Sequence, residues 1–196
     1  MRGFTRILSL AWVPLATSAV SLVLSVSSIV VSTREPEIVL ILPDQVRVAQ
    51  GDDFGFAYMY VQPAFVNTGI NDRVEVLRTM TIEVQAPAGG GPTIFEWDER
   101  GELVYNADGS LSYRYLADAV PLLVSPRDAQ VPFAVFNGPK GWYFGEGTYR
   151  MRLLAHRVVS RRPLEGTFEI TFAQRDVDFL ITGRGRRFLT FPSRKL

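Results

Sequence analysis

Two hydrophobic rhythms divide the chain. From Ile7 to Val31 run 25 residues without a charge, ILSLAWVPLATSAVSLVLSVSSIVV. At ~1.5 Å rise per residue a helix of that length covers roughly 37 Å, more than the ~30 Å of a bilayer's hydrocarbon core. Arg2 and Arg6 precede the run; Arg34, Glu35 and Pro36 follow and end it. The pattern predicts a single membrane-spanning helix over residues 7–32, with a cytoplasmic stub at 1–6 and a short linker at 33–36. The alternative is a cleaved signal peptide with its cut at Thr17-Ser18-Ala19. That cut would leave a mature end reading VSLVLSVSSIVV, an apolar stretch that water disfavours. The basic residues ahead of the run place the N-terminus in the cytoplasm and the rest outside it, on the periplasmic side.

Within this helix the small residues Ala11, Pro14, Ser18, Ser21, Ser25, Ser28 and Ser32 recur every three or four positions. That spacing lays them along one face, with Leu15, Leu22, Val23, Val26, Ile29 and Val30 opposite. Small residues let helix backbones approach closely in lipid, so the stripe predicts packing against other transmembrane helices. The plainer account is that the serine hydroxyls bond back to their own helix.

After Pro36 the rhythm shortens to two. Glu37–Leu42, Gln45–Ala49, Phe54–Val66 and Val74–Ala86 are rich in β-branched and aromatic residues. In the last of these Met80, Ile82 and Val84 alternate with Thr81, Glu83 and Gln85. Thr93–Trp97, Glu102–Tyr105, Leu111–Tyr115, Val131–Phe136, Thr148–Val159, Gly166–Phe172, Val177–Ile181 and Arg187–Phe191 read as further strands. Asn106-Ala107-Asp108-Gly109 marks a hairpin turn. Only Tyr115–Val124 has room for a short helix. Ten to twelve closely spaced strands predict a mainly β body over residues 37–196, built as an antiparallel sandwich of two sheets.

Composition narrows the function. The net charge is +1, too weak a basic field for nucleic-acid binding. With no cysteine and one histidine, His156, disulfides, thiolate chemistry and a multi-histidine metal site are excluded. No cofactor is expected. Arginine supplies all basic residues but Lys140 and Lys195, a bias typical of GC-rich bacterial coding sequences. Charge is also uneven: residues 1–146 hold 10 basic and 16 acidic side chains, residues 147–196 hold 11 and 4.

Two segments carry a family resemblance. Phe65-Val66-Asn67-Thr68-Gly69 resembles a strand-to-loop corner of bacterial immunoglobulin-like and fibronectin-III-like domains. Gly145-Glu146-Gly147-Thr148-Tyr149 is similar to the G-T-Y lead-in to one of their late strands. The likeness covers about ten residues, and the tryptophan-backed disulfide of such domains is missing. It implies a fold class and an adhesive or scaffolding role rather than an activity.

Candidate sites are few. His156 lies inside a strand with no Gly-x-Ser-x-Gly elbow in the body, which argues against a Ser-His-Asp triad. The acidic pairs Asp52-Asp53 and Asp98-Glu99 fit turns, where aspartate bonds the backbone; hydrolysis by a carboxylate pair is the sharper alternative. Asn106–Ser110 lacks the closing glutamate of a calcium loop, since position 117 is alanine. Trp142, Tyr143 and Phe144 beside a Gly/Pro-rich tip form a candidate partner or membrane-interface patch, or else close one end of the core. Arg184, Arg186, Arg187, Arg194 and Lys195 form a basic tail suited to anionic headgroups or an acidic partner. Together these features predict a non-catalytic, single-pass accessory or scaffolding subunit of a membrane complex. Its partners would be other transmembrane helices and the lipid bilayer. An anchored ligand-binding or sensory module is the alternative, and an anchored hydrolase a weaker one.

Overall fold

The computed structural model describes residues 4–33, 35–51, 55–69, 72–107, 111–182 and 188–196; within the first stretch the side chains at 4–13, 15, 31 and 32 are not described. The elements run α1 Phe4–Thr33, β1 Ile38–Ile41, β2 Gln45–Gln50, β3 Ala57–Val61, β4 Ala64–Asn67, β5 Glu75–Gln85, β6 Thr93–Tyr105 and β7 Leu111–Asp118. They continue as β8 Leu122–Val124, β9 Ala129–Gln130, β10 Ala134–Asn137, β11 Gly147–Arg157, β12 Leu164–Phe172, α2 Gln174–Thr182, β13 Phe188–Pro192 and β14 Arg194–Lys195.

Among the described residues all strand pairings are antiparallel. The main sheet holds eleven strands in the order β13-β2-β3-β10-β6-β5-β11-β12-β14, with β7 on β6 and β8 on β5. A small sheet, β1-β4-β9, lies beside it. β13 pairs with β2 at one end of the main sheet and β14 pairs with β12 at the other, although only Ser193 separates them in sequence. One short segment thus ties both ends together and curls the sheet into a nearly closed barrel. The sandwich expected from strand count is corrected in this respect: period-2 patterning sets which side chains face inward, but not which strands meet.

The alternation does predict the barrel's filling. Val46 and Val48, Ala57, Met59 and Val61, Met80, Ile82 and Val84, Met151, Leu153 and Ala155, and Phe168, Ile170 and Phe172 all point inward and are buried in one core. Thr93–Trp97 and Glu102–Tyr105 merge into one strand, β6, whose pairing with β7 slips between Arg100 and Gly101. Residues 177–181, expected as a strand, lie in α2. Its start is fixed by a reciprocal cap, in which the Asp176 carboxylate accepts from the Ala173 N–H at 2.9 Å while the Asp176 N–H donates to the Ala173 carbonyl. Its inward residues, Val177 and Leu180, stand three apart, the helical spacing. The room for a short helix between Tyr115 and Val124 is taken by the end of β7 and by β8.

α1 forms over the predicted uncharged run but does not carry the role expected of it. Among the described residues, no helix is long and apolar enough to cross a membrane. Thr17, Ser18, Ser21, Ser25, Ser27 and Ser28 break up its described side chains, and Ser27 and Thr33 turn their hydroxyls back onto helix carbonyls at 2.7 and 3.0 Å. The membrane-spanning assignment of residues 7–32, the flanking cytoplasmic stub and the single-pass, periplasm-facing localisation are corrected accordingly. No substantial contact between α1 and the strands is found among the described residues. Val20, Leu22, Val23, Leu24, Ile29 and Val30 are exposed along it.

Beyond α1 the chain is clamped. Glu75, fully buried on β5, pairs with Arg157 of β11 at 2.5 Å, and the same guanidinium donates to the Pro36 carbonyl at 2.8 Å. A slip in the β5–β11 register between His156 and Arg157 aims Arg157 at this partner.

Candidate functional site

Strands that bury every second residue must show the others. On β3 the inward Ala57, Met59 and Val61 leave Tyr58 and Tyr60 on the outer wall. Facing them across the sheet are Asn137 and Val135 of β10, and beyond these Asp98 and Glu99 of β6. β7 supplies Tyr113, Tyr115 and Asp118. The ring of Tyr60 lies 5.2 Å from Tyr113, 6.1 Å from Phe133 and 5.9 Å from Phe188, so three strands and the loop before β10 share one aromatic patch. Gly101 makes this possible. A Cβ there would stand 2.0 Å from the Tyr113 ring, which lies flat across the glycine instead.

Around the rings sit three carboxylates. Asp98 accepts from the Asn137 amide at 2.6 Å, Glu99 from the Tyr113 hydroxyl at 3.2 Å and Asp118 from the Tyr115 hydroxyl at 2.8 Å. Every one of these donors is neutral. Among the described residues no cation pairs with Asp98, Glu99 or Asp118, whereas Glu75, Glu83 and Glu102 each hold an arginine. Glu99 and Asp118 are also directly opposed in the β6–β7 register, where like charges repel.

The local field follows from this. Burial pushes the Glu99 carboxyl above the usual range; the Tyr113 bond pulls it down, and the Asp98 and Asp118 charges push it up again. Burial first, then the Glu99 charge, raise the Tyr60 phenol to about 12. The Tyr113 phenol is raised further for the same reasons. Tyr58 is raised by burial and then by Glu99 and Asp98, and Tyr115 by its bond to Asp118. The wall therefore combines electron-rich ring faces with negative charge that nothing described neutralises. That combination suits an organic cation.

The sequence-predicted sites fall elsewhere. Phe144 is buried and Trp142 partly buried, packed on Phe95, Tyr149 and each other with centroids 4.6–6.1 Å apart; they close one end of the core, and only Tyr143 faces outward. Ser18, Ser21, Ser25 and Ser28 are exposed on α1, as is Pro14; the side chains of Ala11 and Ser32 lie outside the described set. Arg184, Arg186 and Arg187 lie outside the described residues, as do Asp52, Asp53 and Asp108. Arg194 and Lys195 are part of β14, and Lys195 binds Asp44 at 2.7 Å. His156 sits opposite Thr79 on a strand. Among the described residues no three or more His, Asp or Glu side chains are grouped so as to hold a metal ion. Among the described sequence candidates, only Asp98-Glu99 reaches the aromatic wall. The tyrosines were missed, although the alternation AYMYV, read for its outward face, would have found two of them. No protein-family model matches the chain, and no curated protein matches it, so nothing identifies an immunoglobulin-like or fibronectin-III-like domain.

Proposed function

We propose that this chain is a non-catalytic accessory subunit of a larger assembly, docking a basic segment of a partner on the tyrosine–carboxylate wall of its barrel. The observation that carries this is the set of partners at Asp98, Glu99 and Asp118: three carboxylates, two of them opposed, bonded among the described residues to neutral donors alone. Self-repulsion of that kind costs stability unless a cation arrives to relieve it. α1 adds a second surface. Its exposed apolar side chains and its serine stripe suit packing against helices of other subunits.

The experiment is size-exclusion chromatography of the chain from native extract at low salt. Elution with other subunits, reverting to the chain's own mass for Asp98→Asn/Glu99→Gln/Asp118→Asn, is the expected result. Raised ionic strength should act in the same direction as the substitutions. A wild-type chain that elutes alone, or a triple variant that elutes unchanged, would sink the proposal. Replacing Ser18, Ser21, Ser25 and Ser28 by leucine tests the contribution of α1 separately.

One observation favours a second reading. Burial raises the Glu99 carboxyl above its usual range, and Asp98 and Asp118 stand near it; a cluster of carboxylates with one raised member is what acid–base hydrolysis uses. Glu99→Gln would abolish a turnover of that kind; a detected activity that survives it counts against hydrolysis.

A further inference from the structure

Next to the tyrosine wall, on the outer side of β2, lies a groove of about 520 Å³. Ile41, Leu42 and Val131 are among its apolar lining, and Asp44, Gln45, Arg47, Gln62 and Lys195 its polar lining. Its frame is firmly built. The Ser193 N–H donates to the Asp44 carbonyl at 2.9 Å, the Ser193 hydroxyl donates to the Pro43 carbonyl, and Lys195 bonds Asp44.

Arg47 is the unusual member. It sits between the inward Val46 and Val48, opposite Tyr60 on β3 and Thr190 on β13. Its guanidinium Nε is buried without an acceptor, and no described carboxylate pairs with it. The Nε is closed to solvent, so a ligand would meet the rest of the guanidinium, which lines the groove. Lys195 is already neutralised by Asp44, so the groove offers one free positive charge.

We infer that this groove binds a small carboxylic acid with an apolar tail, the carboxylate on Arg47 and the tail along Ile41, Leu42 and Val131. A guanidinium fork matches a planar carboxylate. One uncompensated charge matches a monoanion better than a dianion. The volume lies within the range of small-molecule sites. Half of the lining is hydrocarbon that a purely polar anion would leave wet; Ile41 and Val131 are both about half exposed. The site does not depend on the docking role of the tyrosine wall, whose free charges are of the opposite sign.

The test is ligand-observed NMR titration of the full chain at constant ionic strength, with hexanoate as probe and hexan-1-ol and inorganic phosphate as comparisons. Saturable hexanoate binding is expected, with both comparisons at least about tenfold weaker, since charge-assisted bonds carry most of so small a ligand's affinity. Arg47→Gln should weaken hexanoate by about tenfold. Val131→Asp, at an exposed position that leaves folding intact, should do the same by placing a negative charge beside the ligand. Hexanol or phosphate binding as well as hexanoate overturns the proposal. So does no saturable binding up to roughly 50 mM, or unchanged affinity in either variant once a thermal melt shows it folded.

Discussion

Tyr60 and Arg157 show how much a single side chain's surroundings decide. The Tyr60 phenol, raised from 10.0 to about 12 by burial and by Glu99, holds its proton in the folded chain at pH values where an unfolded chain has lost it. Between pH 10 and 12 the folded state therefore binds more protons, and stability must fall as pH rises through that window, by roughly 2–3 kcal/mol for this group. Phenolate absorbance should show an exposed set of tyrosines ionising before Tyr60 and Tyr113. Tyr60→Phe should reduce the loss of stability in alkali, and an unaltered alkaline limb would contradict the assignment. Arg157 is a different case. It and Glu75 are 10% and 0% exposed, so removing either partner strands a charge in the core. Glu75→Ala or Arg157→Met should each cost about 3–5 kcal/mol in denaturant unfolding. The paired change Glu75→Leu/Arg157→Met should recover most of it, since the expense lies in the orphaned charge rather than in the pair.

Among the elements, β13 and β14 have the largest influence for their size. Phe191, the inward residue of β13, packs its ring tilted against Phe172 with centroids 4.5 Å apart and is buried in the core. Phe191→Ala should cost about 3–5 kcal/mol and lower the thermal midpoint accordingly. It should also speed hydrogen exchange first in β2 and β12, the strands that this segment joins; uniform protection loss across all strands would show that closure is not local. Element type was legible in the sequence wherever alternation was long. Met80, Ile82 and Val84 point inward as their spacing predicts, and the turn signal at 106–109 falls in the hairpin joining β6 to β7. α2 was misread because DVDFLI alternates like a strand. What decides its form is the reciprocal cap at Ala173 and Asp176, a contact between one side chain and a backbone amide that hydropathy does not register.

At the scale of the molecule the sequence was least informative, and for one reason: pairings between distant strands leave no local trace. Nothing near Phe188 or Gln45 announces that these segments meet, so a barrel was read as a sandwich. The tyrosine wall was hidden in the same way, since Tyr58, Tyr113 and Glu99 come from three strands that only topology brings together. The expectation for α1 fails on a different ground: an uncharged run is not sufficient for a span when many hydroxyls interrupt it. The seam that ties β2 to β13 has its own kinetic consequence. Pro43 and Ser193 stand 150 positions apart, and until they meet the chain carries two unsatisfied ladders able to recruit a neighbouring molecule. Dilute refolding should accordingly be slow, and crowded refolding should lose material to aggregates.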